Sequence, residues 1–273
     1  MKKRTLGQRL LGAPYIVWAA IFIIVPLLIV VYYSFTDADG NWTLNNIKAL
    51  ADYKEVFWIS IEYSFIATVI TLLISYPFAN LMSRQKENAQ RIMMMLVMLP
   101  MWMNLLIRTY SWMNILEKNG IINNLLANFG IEPLKMIGTP GAVIFGMIYN
   151  YFPYMVIPIY NAITKIDPSL LEAAEDLGSN GWSKLRRVIL PMSMPGVVSG
   201  FTMVFVPSVS TFYISQKLGG KIMLVGDAIE KQIQSLYNYN MGAALSLVLM
   251  VLILISMAFM KKFAGDEGSN LYV

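Results

Sequence analysis

Long apolar runs are the feature that most restricts how this chain can fold. A helix needs about 20 mainly apolar residues to cross the hydrocarbon core of a bilayer, and the first run, from Pro14 to Phe35, has that length. The chain is 57% hydrophobic and only 14% charged, whereas soluble domains carry about 25% charged residues. The sequence therefore predicts an all-α integral membrane protein with one membrane domain, residues 1–273. Six spans are predicted, near residues 14–35, 63–83, 92–116, 141–163, 195–215 and 241–260.

The fifth predicted span is the weakest, because Pro207 and the polar stretch SVSTF interrupt it. Prolines also fall in other spans, including Pro100 and Pro153. Backbone groups that a proline leaves unpaired cannot face lipid, so these positions should face other helices or a wet cavity.

Positive charge predicts the orientation of the spans. The side that holds both termini and residues 84–91 and 164–194 carries 13 Lys and Arg, against 8 on the other side, and its segments are shorter. Loops rich in Lys and Arg stay in the cytoplasm. The first run shows no small-residue cleavage site, so it is predicted to be a retained helix rather than a removed signal. The prediction is a multi-pass membrane protein whose N- and C-termini are cytoplasmic.

Several kinds of chemistry are excluded by composition. The chain has no Cys and no His, which removes thiolate and imidazole metal ligands and the usual nucleophilic triads. The pair Gly220-Lys221 lacks the earlier glycine and the following Ser or Thr of a phosphate-binding loop. We expect no catalytic site, metal site or cofactor on this chain, and its net charge of +5 is attributed to membrane orientation rather than to nucleic-acid binding.

The densest group of charges lies in residues 164–194, between the fourth and fifth spans. Asp167 followed by Pro168 is a helix start, and Gly178 is placed to end that helix in a left-handed conformation. A short helix over 168–177 is predicted, then a glycine elbow and a second short helix. In the second helix Lys184, Arg186 and Arg187 should be exposed. An amphipathic element that lies on the bilayer surface would have a similar pattern.

The spacing within this loop resembles a known signature. Glu172-Ala173-Ala174, three residues, Gly178, nine residues and Val188-x-Leu190-Pro191 is similar to the EAA motif of binding-protein-dependent ABC importer permeases, with Val188 in place of isoleucine. The resemblance implies a type I (MetI-like) importer permease fold and a helix that couples to a separate ATPase. The coupling residues it implies are Glu172, Ala173, Ala174, Gly178, Leu190 and Pro191.

The same resemblance implies partners. They are a second homologous permease subunit, a dimer of ATPase subunits that binds ATP and Mg, and an extracytoplasmic solute-binding protein. The resemblance also implies assembly in the lipid of a prokaryotic plasma (inner) membrane.

Four other stretches are similar to the permeases of spermidine/putrescine importers, of the B type: SYPFANLMS, LPMWMNLLIRTYSW, KIDPSLLEAAEDLG and FYISQKLGGKIMLVGDAI. A polyamine path should offer aromatic faces, amide oxygens and a few carboxylates. Aromatic belts or helix packing would explain the same residues. Arg108 would repel a polyamine, so we interpret it as an anchor or a salt-bridge partner of Glu117 or Glu62. The candidate path residues are Trp102, Asn104, Tyr110, Trp112, Tyr149, Tyr154, Tyr213, Asp227 and Glu230.

Two alternatives stay open from the sequence. The first is an ABC importer permease for another small solute, such as sulfate, molybdate or another ion. The second is a self-sufficient secondary transporter, although neither repeated halves nor midplane ionisable residues stand out.

Overall fold

The computed structural model describes residues 13–264, and every regular element in them is a helix. In chain order the α-helices are α1 (Ala13–Ala19), α2 (Val25–Ser34), α3 (Asn45–Ala49), α4 (Lys54–Ser83), α5 (Glu87–Met98), α6 (Leu105–Leu116), α7 (Ile121–Ala127), α8 (Pro140–Ile163), α9 (Pro168–Asp176), α10 (Gly181–Lys184), α11 (Leu190–Met192), α12 (Met194–Ser210), α13 (Tyr213–Leu218), α14 (Val225–Glu230) and α15 (Tyr239–Ala264). Turns of 3₁₀-helix cover Leu50–Tyr53 and Leu99–Trp102, and π-helical turns cover Ala20–Ile24, Leu185–Ile189 and Lys231–Ser235.

Four helical stretches in the described residues are long and apolar enough to cross a membrane: Val17–Ser34, Asn45–Ser83, Pro140–Ile163 and Tyr239–Lys262. Two bent pairs bring the number to six if each pair is one span. One pair, Glu87–Trp102 with Leu105–Ala127, bends by 92°, and the other, Gly181–Met192 with Met194–Ser210, bends by 66°.

The third predicted span, 92–116, is not continuous. The chain turns at Met103 and Asn104, directly after the 3₁₀ turn that contains Pro100. Met103 has an extended backbone conformation, with φ −83° and ψ 143°, and this residue ends the helical run. In the fifth predicted span, α12 passes through Pro207 and ends at Ser210, so the break falls at Thr211 and Phe212.

The described part of the chain divides into two compact units. The first comprises residues 13–55 and 228–251. In it, the Asn240 side-chain amide donates to the Thr36 carbonyl oxygen at 2.7 Å, and the Gln232 amide donates to the Tyr53 hydroxyl at 2.7 Å. These bonds fasten the end of α2 and the turn before α4 to the later segment of the same unit.

The second unit comprises residues 56–227 and 252–264, and α8 and α12 form its most extensive helix pair. Two glycines one helical turn apart allow the close approach. A Cβ added at Gly196 would lie 2.5 Å from the Pro158 carbonyl oxygen, and one at Gly200 would lie 2.9 Å from the Met155 sulfur. Small residues spaced by four are a common means of close packing between membrane helices. Val143, Met147, Met155, Ile159 and Val204 are fully buried in the core of this unit.

A buried polar stripe follows one face of α4, consisting of Ser60, Ser64, Thr68, Thr71 and Ser75. The Thr68 and Thr71 hydroxyls each donate to the carbonyl oxygen four residues earlier, at 2.6 Å. Such internal hydrogen bonds satisfy these two hydroxyl groups away from water. Ser60 also accepts a bond of 2.8 Å from the Val225 amide, which fixes the start of α14.

Candidate functional site

The candidate coupling helix α9 begins as its sequence indicates. The Asp167 carboxylate accepts a bond of 2.9 Å from the Ser169 amide, and Pro168 occupies the first turn. This backbone hydrogen bond holds the pKa of Asp167 below its usual range. The predicted helix start is confirmed, and the helix ends at Asp176, within one residue of the predicted end.

The glycine elbow is also confirmed. Gly178 has a φ of +79°, its amide donates to the Glu175 carbonyl oxygen at 2.8 Å, and the Ser179 amide donates to the Ala174 carbonyl oxygen at 3.0 Å. This pair of bonds is the Schellman arrangement, in which a left-handed residue closes a helix. The last carbonyl groups of α9 are therefore satisfied within the loop itself.

The second half of the loop folds back on the first. The Asn180 side chain caps α10 by accepting from the Ser183 amide at 2.8 Å, and the Lys184 ammonium forms an ion pair with the Glu175 carboxylate across the elbow. The Lys184 side chain is only 15% exposed, so the expectation of an exposed lysine is wrong, whereas Arg186 and Arg187 are exposed as expected. The ion pair thus links the two capped helices into one projection.

The tip of this projection is apolar and open. Leu177 is 87% exposed and Trp182 is 72% exposed, on either side of Gly178. Of the residues implied by the EAA resemblance, Glu172, Ala173, Gly178 and Pro191 are exposed, and Ala174 and Leu190 are half-buried. These two side chains leave apolar surface exposed on both sides of the glycine elbow.

The end of the loop is tied to a distant helix. The Ser193 side chain is fully buried, and its hydroxyl oxygen forms a hydrogen bond of 2.9 Å with the Tyr76 hydroxyl of α4. Three residues later, Gly196 contacts α8 closely, as described above. The start of α12 and the residue before it therefore contact both α4 and α8.

The structure brings together two pairs of candidate path residues. In the first pair, the Trp112 ring lies edge-on to the Tyr149 ring, with 5.2 Å between centroids, and also contacts Phe145. Tyr149 lines an apolar cavity of about 560 Å³ together with Phe78, Met93 and other side chains. These rings pack α6 against α8 beside an apolar cleft.

The second pair consists of Tyr110 of α6 and Tyr213 of α13, whose ring centroids are 6.0 Å apart at an angle of 73°. The Lys217 ammonium lies 4.9 Å from the Tyr110 centroid and 5.5 Å from the Tyr213 centroid. Both distances are within the range of cation–π attraction. Sequence reasoning missed Lys217, although its spacing of four residues from Tyr213 on one helix was a usable signal.

Other candidate path residues lie apart from these pairs. Trp102 is 75% exposed, in the 3₁₀ turn before the break. Asn104 caps α6 by accepting from the Leu106 amide at 2.7 Å, which gives this polar side chain a partner. Tyr154 lines a separate cleft of about 650 Å³, whose polar members include Asn161 and Lys165.

The acidic candidates have different surroundings. Asp227 is buried, and its carboxylate accepts from the Leu224 amide at 2.7 Å, which caps the helix on which it lies. Glu230 is at the last position of the same helix, α14. Arg108 is buried and forms no ion pair within 4.0 Å with Glu117 or Glu62 in the described residues, so the expected salt bridge is wrong.

The family of the chain follows from comparison with known sequences. Residues 73–264 match the family described as "Binding-protein-dependent transport system inner membrane component", and the chain belongs to that family. A spermidine/putrescine transport system permease protein, PotB, of Haemophilus influenzae is 39% identical over 256 residues, which cover 90% of each chain. The PotB of Escherichia coli K12 is 34% identical over 245 residues, 86% of this chain and 89% of that protein.

Solved structures agree on the fold. A bacterial ABC transporter that imports the acidic polysaccharide alginate has a chain that matches with a TM-score of 0.77 at 19% identity, covering 93% of this chain and 94% of that one. Inward-facing MetNI, a methionine ABC transporter, matches with a TM-score of 0.56 at 18% identity, covering 79% and 94%. The predicted all-α importer permease fold is confirmed.

Membership of this family makes the chain a multi-pass inner membrane component of a bacterial ABC importer, a transport subunit rather than an enzyme. The resemblance inferred from the EAA loop is therefore confirmed at the level of the family.

Proposed function

We propose that the chain is the permease subunit of an ATP-driven importer for the polyamines spermidine and putrescine, and that it forms half of the translocation pathway. The polyamine cargo is inferred from the sequence identity of 39% and 34% to two PotB permeases over nearly the whole chain. The other half of the pathway would come from a second, homologous permease subunit. An extracytoplasmic binding protein would deliver the polyamine.

The loop 164–194 is proposed as the contact with the ATPase. Its two capped helices and the Lys184–Glu175 ion pair give a rigid projection, and the exposed Leu177 and Trp182 offer an apolar tip. Glu172 adds an exposed carboxylate for a basic partner. This surface suits a groove on a cytoplasmic ATPase dimer, which would bind ATP and Mg. A cytoplasmic position of the loop agrees with the predicted cytoplasmic position of both termini.

Motion of the loop would be transmitted through the start of α12. The Ser193–Tyr76 hydrogen bond and the contact of Gly196 with Pro158 link this segment to α4 and α8. Close-packed interfaces move as units rather than deform smoothly, so these helices should rock together between outward-open and inward-open states. ATP hydrolysis by the partner would drive that change.

The polyamine path is proposed to use aromatic faces. A polyamine is a chain of methylenes with ammonium groups, and cation–π contacts of about 0.5–2 kcal/mol each guide such a solute without trapping it. Trp102 is the most exposed of the aromatic candidates, and it lies directly before the bend at Met103 and Asn104.

The experiment that tests this function is uptake of labelled spermidine by cells that lack this chain, with and without the chain restored. Restored uptake, competed by putrescine and not by sulfate or molybdate, is the expected result. Restoration of ion uptake without spermidine uptake would favour the alternative cargo. Trp102→Ala should weaken spermidine uptake several-fold in an assembled importer, whereas Trp58→Ala, a change at a similarly exposed tryptophan of α4, should not.

A further inference from the structure

The Lys217 side chain occupies a site made of two tyrosine rings. Tyr213 lies one turn earlier on α13, and Tyr110 comes from α6, so the cluster joins two helices. Lys217 takes part in neither of the ion pairs found in the described residues. The ammonium is therefore held against ring faces, which attract cations through their quadrupole.

Lys217 is fully charged at neutral pH. Interaction with the Tyr110 side chain raises the pKa of Lys217 above its ordinary value. Tyr110 itself is exposed, so the rings are accessible from outside the packed helices. The site is thus a half-open ammonium site that the chain fills with its own cation.

The chemical identity of that cation is informative. Beyond its Cα, a lysine side chain is four methylenes and a primary ammonium, which is the same aminobutyl group that ends putrescine and one arm of spermidine. A site that accepts the one accepts the other, because both present the same charge on the same apolar stem. A neutral or anionic solute would not compete for these rings.

We infer that Tyr110 and Tyr213 form a binding site for a terminal polyamine ammonium, and that Lys217 is a tethered competitor that occupies this site until the solute displaces it. The inference rests on the proposed polyamine cargo. Displacement releases the link that Lys217 makes between α13 and α6, so occupancy of the site by solute is coupled to the contact between these two helices.

The test is equilibrium binding of labelled spermidine to the purified importer in nanodiscs, without nucleotide and without the binding protein. Lys217→Met removes the competing ammonium and keeps the length of the side chain. Since a cation–π contact contributes about 0.5–2 kcal/mol, loss of the competitor should tighten spermidine binding roughly two- to thirtyfold. Lys217→Gln should give a similar gain, which guards against a defect peculiar to one variant.

Three controls separate this inference from general electrostatics. Lys221→Met removes the same charge from an exposed position four residues away and should leave the affinity unchanged. Lys217→Arg keeps a cation that binds ring faces and should behave like the native chain. Combining Tyr110→Leu with Lys217→Met should abolish the gain, because the solute loses the ring.

The outcomes are distinct. If the native importer binds and imports spermidine but Lys217→Met does not tighten binding, or Lys221→Met tightens it equally, the competitor role of Lys217 is overturned. If the native importer neither binds nor imports spermidine, the polyamine function itself fails, and this inference fails with it.

Discussion

Replacing Gly178 by Ala tests whether the left-handed elbow is needed for coupling. At its φ of +79°, a residue with a Cβ pays about 1–2 kcal/mol. No atom lies within 4 Å of the added Cβ, so the cost is one of backbone conformation alone. The ratio of the native elbow conformation to open forms of the loop should then fall roughly five- to thirtyfold.

Gly181→Ala is the matched control, because its Cβ also meets open space but its φ is not left-handed. Alanine there, at the start of α10, should be neutral or stabilising by about 0.4–1 kcal/mol. Gly178→Asn should fall between the two, since asparagine tolerates the left-handed region.

The assay is ATPase co-purification with the membrane subunits, followed by spermidine uptake per ATP hydrolysed in proteoliposomes. Gly178→Ala should lower both several-fold, and Gly181→Ala should lower neither. Equal behaviour of the two alanine variants would refute the reasoning that the conformation of the elbow couples the subunits.

Three further predictions concern the same region. Gly196→Ala forces a contact with the backbone of α8, where overpacking costs about 1–3 kcal/mol against a helix-propensity gain of about 1 kcal/mol. Thermal unfolding of the importer should therefore show a loss of stability. The loss should be smaller for Gly200→Ala, because the nearest neighbour of its added Cβ is the sulfur of a flexible methionine. Tyr76→Phe removes the Ser193 bond, at about 0.5–1.5 kcal/mol, and should lower uptake per ATP while ATPase binding survives; unchanged coupling would contradict the transmission route. Asp167→Ala should reduce amide-exchange protection at the start of α9. Because the folded-state pKa of Asp167 is lowered, this carboxylate stabilises the helix above its unfolded pKa of about 3.9, and the difference between native and variant chains should vanish as pH falls through the lowered value.

Local features of the loop were predictable because the interactions that form them are local. Asp167, Pro168 and Gly178 act within two or three residues of their own positions, so the sequence around each one contains the needed information. The class of protein followed instead from the resemblance of the stretch between Glu172 and Pro191 to the EAA motif.

Contacts between distant segments could not be predicted from the local sequence around each residue. The prediction of an exposed Lys184 was wrong because its partner, Glu175, lies nine residues earlier across the elbow, and the sequence around Lys184 does not indicate this pairing. Similarly, α4 begins at Lys54 rather than near residue 63, because a search for apolar runs detects only the part of a helix that crosses hydrocarbon. Of the tyrosine site, the Tyr213–Lys217 spacing was visible, whereas the approach of Tyr110 from α6 depends on tertiary packing.

The most direct test of the central claim is ATP-dependent uptake of labelled spermidine into proteoliposomes that contain this chain, its partner permease, the ATPase and the binding protein. The account predicts uptake that needs ATP and all four components, and that falls several-fold with Gly178→Ala but not with Gly181→Ala. Spermidine uptake by this chain alone, or a complete importer that moves another solute and no polyamine, would contradict it.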